Sequence, residues 1–199
     1  MKHLLASVLT LFMWTAVSAQ EDTLLTSYPI VTRDAWRAKP AKPYIKHKIE
    51  RVTVHHEGGR ILKVEEDATQ RLRNIQSWCM GPDRNWTDIP YHYLIAPDGT
   101  VYQGRDVLTV GETNTNYDPT GHLLISFLGN YNEKQMNENL ENVLVKLLTH
   151  FCEKYNICPE TIATHRDYTE HTNCPGKNLY PYFENKSIIT RVKKQIAKE

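Results

Sequence analysis

The run HLLISFLGNY at residues 122–131 sets the strongest limit on what this chain can become. Its apolar residues hardly alternate with polar ones, so a strand formed here has no face to offer water. Both faces need cover, and the flanking segments can supply it. KIERVTVHH is rich in β-branched residues and predicts a strand ending near His56. PYHYLIAPDGTVYQGR predicts two short strands joined through Pro97-Asp98-Gly99-Thr100, a hairpin.

Helices follow from spacing. Ala68, Leu72, Ile75 and Cys79 recur at steps of four, three and four, a helical stripe. Within NENLENVLVKLLTHFCEKYNI, Asn137 is placed to cap a helix. Leu140, Val143, Leu144, Leu147, Phe151 and Tyr155 then share one apolar face. ETIATH predicts a short strand. After Lys186, Ile188, Ile189, Val192 and Ile196 line one side of a closing helix. Strands interleaved with long helices predict an α/β fold, and the hairpin makes its central β-sheet mixed, flanked by helices.

The chain opens MKHLLASVLTLFMWTAVSAQ: one Lys, an apolar run, then the small residues Val17-Ser18-Ala19. That order predicts a signal peptide over residues 1–19, a tether over 20–27 and one domain over 28–199. No later apolar stretch approaches the roughly 20 residues of a membrane span, so no stable span is expected once the signal is removed. The protein is expected to be secreted or periplasmic, and monomeric. Asn85-Trp86-Thr87 and Asn185-Lys186-Ser187 are glycosylation sequons if the host glycosylates exported proteins.

Lys and Arg number 24 against 23 Asp and Glu. So balanced a surface lacks the basic field on which nucleic acids and anionic lipids depend. A substrate must be gripped by a local site, and nucleic acid is excluded as a partner.

Export predicts an oxidising surrounding in which thiols pair. Cys152 and Cys158 are close enough in sequence to bridge, and Cys79 with Cys174 is the plain account of the remaining two. Alternatively, Cys174 serves a metal as a thiolate. His55 and His56 are adjacent on a strand and point to opposite faces, so only one of them faces a given site. One of that pair, His165 and Cys174 all fall at strand ends or in the loops beyond, where α/β sheets gather ligands. Two imidazoles and a thiolate suit zinc, with a fourth position open. Such a site needs a donor for developing negative charge. Tyr91 is a candidate, or else a core tyrosine. Thr172 is another, or else a cap for its own loop.

IVTRDAW, VTVHHEGG, IQSWCM, WTDIPYHYLIAPDGTVYQGR, LLISFLGNYN and THRDYTEHTNCPG occur in this order. Together they resemble the peptidoglycan recognition proteins and the wider zinc-dependent N-acetylmuramoyl-L-alanine amidases, including the phage T7 lysozyme type. The resemblance implies zinc (Zn2+) at the base of a groove. It also implies cleavage of the amide between N-acetylmuramic acid and L-alanine in peptidoglycan or muropeptides. By motif position it selects His55 over His56, with His165 and Cys174 as the other metal ligands. It puts Tyr91 and Thr172 in catalysis and has Arg166 and Asp167 brace the loop. Family members that lack the cysteine are typically binders without amidase activity, and a non-catalytic muropeptide-binding protein is the alternative reading.

Several positions depart from the family pattern. Ser126 stands where many bacterial amidases carry a catalytic Glu, and Cys79 where relatives often have His. Glu57 replaces the usual Thr after the His pair and is expected to face solvent rather than act as a base. The cysteine pair that animal members carry soon after the first ligand is missing, which favours a bacterial or phage-like enzyme.

Overall fold

The computed structural model describes residues 29–198, so the signal and tether expected over residues 1–27 lie outside the described residues. Six strands form one sheet: β1 (Ile30–Val31), β2 (Arg51–His56), β3 (Tyr93–Ile95), β4 (Val101–Gln103), β5 (His122–Phe127) and β6 (Ala163–Thr164). They lie in the order β1-β4-β3-β5-β2-β6. Only the β3–β4 hairpin is antiparallel, so the sheet is mixed as expected. All six residues of β5 are buried, which bears out the reading of its uninterrupted apolar run.

Helices cover the sheet. Helix α1 (Ala68–Cys79) starts where the Asp67 carboxylate accepts from the backbone N–H groups of Thr69 and Gln70. Helix α2 (Glu138–Tyr155) starts where Asn137 Oδ1 accepts from Leu140 N–H at 2.9 Å. It ends at Asn156, whose left-handed φ of 52° closes the last turn. Two C-terminal helices follow, α3 (Pro181–Glu184) and α4 (Ser187–Ile196). No helix among the described residues is long and apolar enough to cross a membrane.

The period of two along the strands sorts residues to the two faces. Val52, Val54, Leu123, Ile125 and Phe127 pack in one core with Leu140, Leu144, Leu147 and Phe151 of α2 and Ile188 and Val192 of α4. Leu94, Ala96 and Tyr102 belong to a second core with Trp36, Ala68 and Leu72 of α1. The stripe on α1 holds, with Ile75 half-buried, but Gln76 is also buried. Its amide bonds both backbone groups of Lys39 and donates to Asp88 Oδ1 at 2.6 Å, so a polar side chain is buried without loss.

All four cysteines are free thiols. Neither bridge weighed from the sequence, Cys152–Cys158 or Cys79–Cys174, is present. The Cys158 thiol instead donates to Glu160 Oε2 at 3.0 Å.

Candidate metal centre

The period of two that places Val54 in the α2-side core turns its neighbour His55 to the opposite face. His56 points back, and its Nδ1 accepts from Tyr131 N–H at 3.0 Å. Parallel pairing sets Thr53 and Val54 of β2 beside Ala163 and Thr164 of β6, so His165, the next residue, arrives next to His55. The two imidazole centroids lie 4.8 Å apart. The loop after β6 then returns Cys174 to the same point, with Sγ 3.5 Å from His55 Nδ1. One ligand atom from each of His55, His165 and Cys174 lies within 4.8 Å of the others, and all three residues are buried.

That return is braced as expected. Thr164 and Asp167 form a capping box at the short turn His165–Asp167. Arg166 N–H donates to the Cys174 carbonyl at 3.0 Å, and its guanidinium stacks 4.1 Å from the Tyr180 ring centroid.

Burial shapes the chemistry. It pushes the Cys174 thiol up to about 12, opposed by the His56 N–H that donates to Sγ at 3.4 Å. It brings His165 down to about 4, and drives His55 well below the usual imidazole range with help from the His165 charge. Both imidazoles are therefore neutral, the form that ligates a metal, while the thiol ionises only beside a cation. Two nitrogens and one sulfur with no carboxylate among them fit zinc.

The cluster lines a cavity of about 410 Å³ together with Tyr91, Thr172, Trp78 and Trp86. The Tyr91 and His55 ring centroids are 5.3 Å apart. Burial, and secondarily the nearby Cys174, holds the Tyr91 phenol well above its ordinary pKa, while a hydrogen bond with Ser126 opposes the shift. Ser126 sits directly opposite His55 in the β2–β5 register, where its side chain meets Tyr91. Thr172 reaches the cavity, and its Oγ1 accepts from Cys174 N–H at 3.1 Å, the loop-capping bond. Trp78 is 52% exposed at the rim, with the Arg84 guanidinium 4.4 Å from its ring centroid and 5.4 Å from that of Trp86.

Glu57 differs from expectation. Its side chain is only 10% exposed, ion-paired with Arg71 of α1, and accepts from Gly129 N–H at 3.2 Å. Burying a carboxylate here is tolerated because a guanidinium and a backbone donor satisfy it. Glu112, the other carboxylate lining the cavity, is ion-paired with the buried Arg105.

Sequence reasoning missed one segment of this centre. Thr115 Oγ1 lies 2.7 Å from His165 Nε2, and Tyr117 Oη lies 3.5 Å from His55 Nε2. Both residues come from the loop between β4 and β5. The available signal was its polar alternation, TNTNYDPT, which reads as a surface loop when no partner is known.

The profile of the N-acetylmuramoyl-L-alanine amidase family matches residues 45–177. Peptidoglycan-recognition protein SD of Drosophila melanogaster is 30% identical over 171 residues, covering 83% of this chain and 87% of that protein. The crystal structure of Drosophila PGRP-SD, also 30% identical, aligns with a TM-score of 0.68 over 78% of this chain and 93% of that one. Human PGRP-IBETAC, solved in complex with glycosamyl muramyl pentapeptide, is 25% identical with a TM-score of 0.67, over 78% and 94%. These relatives are animal proteins. With its fold and most of its length matched, the chain belongs to the peptidoglycan recognition protein and type 2 N-acetylmuramoyl-L-alanine amidase family.

Proposed function

We propose that this chain is an exported zinc-dependent amidase that cuts the bond between N-acetylmuramic acid and L-alanine in peptidoglycan. The observation that carries the reading is the complete, buried donor set of His55, His165 and Cys174 on the wall of an open cavity, with Tyr91 beside it. Bound zinc supplies Lewis-acid polarisation of the scissile carbonyl and activation of the attacking water. The remaining chemistry belongs to the side chains around it.

Tyr91, kept protonated by its raised pKa and oriented by Ser126, donates to the oxyanion that develops on the lactyl-alanine carbonyl. Thr172, whose Oγ1 accepts from Cys174 N–H, is the second donor proposed. Both carboxylates on the cavity wall, Glu57 and Glu112, are ion-paired. The proton lost by the attacking water therefore passes to the leaving amine rather than to a free carboxylate. The exposed indole of Trp78 and the neighbouring Trp86 offer apolar surface on which a glycan-peptide can lie. The muramyl pentapeptide bound to human PGRP-IBETAC supports the same substrate class here.

The test is incubation of the purified protein with muropeptides, followed by mass spectrometry for free stem peptide. Release that a chelator abolishes is the expected result. Tight retention of intact muropeptide by fully zinc-loaded protein would make the chain a recognition protein instead.

A further inference from the structure

The loop over residues 111–121 touches the outer edge of both candidate histidine ligands. Its residues alternate: Thr113, Thr115, Tyr117 and Pro119 are half-buried, whereas Asn114, Asn116, Asp118 and Thr120 are exposed. The inward side therefore delivers two threonine hydroxyls and one phenol in succession. Thr115 Oγ1 is 2.7 Å from His165 Nε2 and 2.9 Å from Thr113 Oγ1, which itself lies 3.4 Å from the same nitrogen. Tyr117 Oη is 3.5 Å from His55 Nε2, and its ring centroid is 5.1 Å from that of His165.

The loop is itself held in place. Asn116 Oδ1 accepts from the Thr169 hydroxyl at 3.1 Å, tying it to the segment that carries Cys174. The Tyr117 ring stacks on Tyr168 at 5.4 Å, and both rings pack against His122, whose Nδ1 is 2.7 Å from Thr53 Oγ1. A phenol and a hydroxyl fixed this way can impose an orientation on the rings they meet.

A neutral imidazole carries one N–H, and the nitrogen opposite it is the one free to ligate. His55 Nδ1 already faces the Cys174 sulfur, and its Nε2 faces Tyr117. His165 Nε2 faces Thr115, which leaves Nδ1 as its ligating nitrogen. We infer that Thr115 and Tyr117 are positioning residues of the metal centre, accepting the Nε2–H of His165 and His55 and so holding both rings in the tautomer that ligates through Nδ1. Thr115 in turn donates its hydroxyl hydrogen bond to Thr113 Oγ1 at 2.9 Å. Partners of this kind are worth about 10–100-fold in metal affinity. The inference rests on the zinc-hydrolase reading and goes beyond it by assigning a positioning role to residues outside the three-residue donor set.

The experiment is a zinc dissociation constant from competition with a chromophoric chelator, measured for wild type, Thr115→Val, Thr115→Ser and Tyr117→Phe. Thermal melting of each metal-free protein is recorded in parallel. Thr115→Val keeps the shape and loses the hydroxyl, so zinc should bind about 10–100-fold more weakly. Its metal-free melting temperature should stay unchanged. Thr115→Ser should restore affinity to within about twofold of wild type. Tyr117→Phe keeps the stacked ring and loses a longer contact, so its loss should be smaller, up to about 10-fold. Zinc held by both Thr115→Val and Tyr117→Phe as tightly as by wild type overturns the inference and leaves the amidase reading intact. A wild type that binds no zinc overturns both.

Discussion

Cys174 Sγ and His55 Nδ1 lie 3.5 Å apart although 119 residues separate them in the chain. The contact exists because β6 pairs in parallel with β2 and the loop beyond it folds back over the strand end. Just beyond Cys174 the chain passes Tyr131 closely at Gly176. Its φ is +97°, and a Cβ added there would lie 2.5 Å from the Tyr131 carbonyl carbon. Neither condition suits an L side chain.

Gly176→Ala should therefore destabilise the protein by about 3 kcal/mol or more, since strained backbone and backbone overlap add together. Urea unfolding of the metal-free protein measures it. A loss below about 0.5 kcal/mol would show that the loop is free to relax.

Tyr91→Phe removes the proposed oxyanion donor and keeps the ring beside His55. The expected result is a fall in kcat of about 10²–10³-fold, with zinc content unchanged. Steady-state cleavage of a muramyl peptide alongside metal analysis separates the two effects. An unchanged kcat would return Tyr91 to the role of a packing residue.

Glu57→Gln tests whether the carboxylate beside the cluster is a base or a brace. As the partner of Arg71 and the Gly129 N–H, it should contribute about 1–3 kcal/mol of stability, lost in the glutamine variant. The pH profile of cleavage should keep its shape. Loss of the acid limb of that profile with stability unaffected would identify Glu57 as the base.

His92 predicts how stability responds to acid. Its Nδ1 accepts from Leu124 N–H at 2.8 Å, and its Nε2 is 2.8 Å from the Thr109 carbonyl. Burial brings its pKa down to about 3, against the Thr109 carbonyl that favours the charged form. Its ordinary value is 6.5, so between about pH 6.5 and 3 the unfolded chain binds the extra proton. The contribution is fully present above pH 6.5 and is lost as pH falls towards 3, at up to about 1.4 kcal/mol per pH unit. In metal-free His92→Gln, the slope of unfolding free energy over that window should drop by about one proton relative to wild type. Identical slopes would contradict the assignment.

Much of this architecture is readable from local pattern. The unbroken apolar run marks β5, and alternation along β2 separates His55 from His56. Spacing marks both long helices, though on α1 it passes over Gln76, whose burial depends on Lys39 and Asp88. Glu57 reads as a solvent-facing loop residue because its cation, Arg71, lies 14 residues away on α1. Thr115 and Tyr117 escape for a similar reason: an alternating polar loop shows its inward side only when the histidines it meets are in place. Local propensity survives in sequence, whereas pairing across the fold does not.

The most direct test of the metal-centred account compares wild type with Cys174→Ser for bound zinc and for free stem peptide released from muropeptides. The account predicts about one zinc per chain with peptide release in the wild type, and loss of both in the variant. Release that persists after the wild type has been stripped of metal would contradict it.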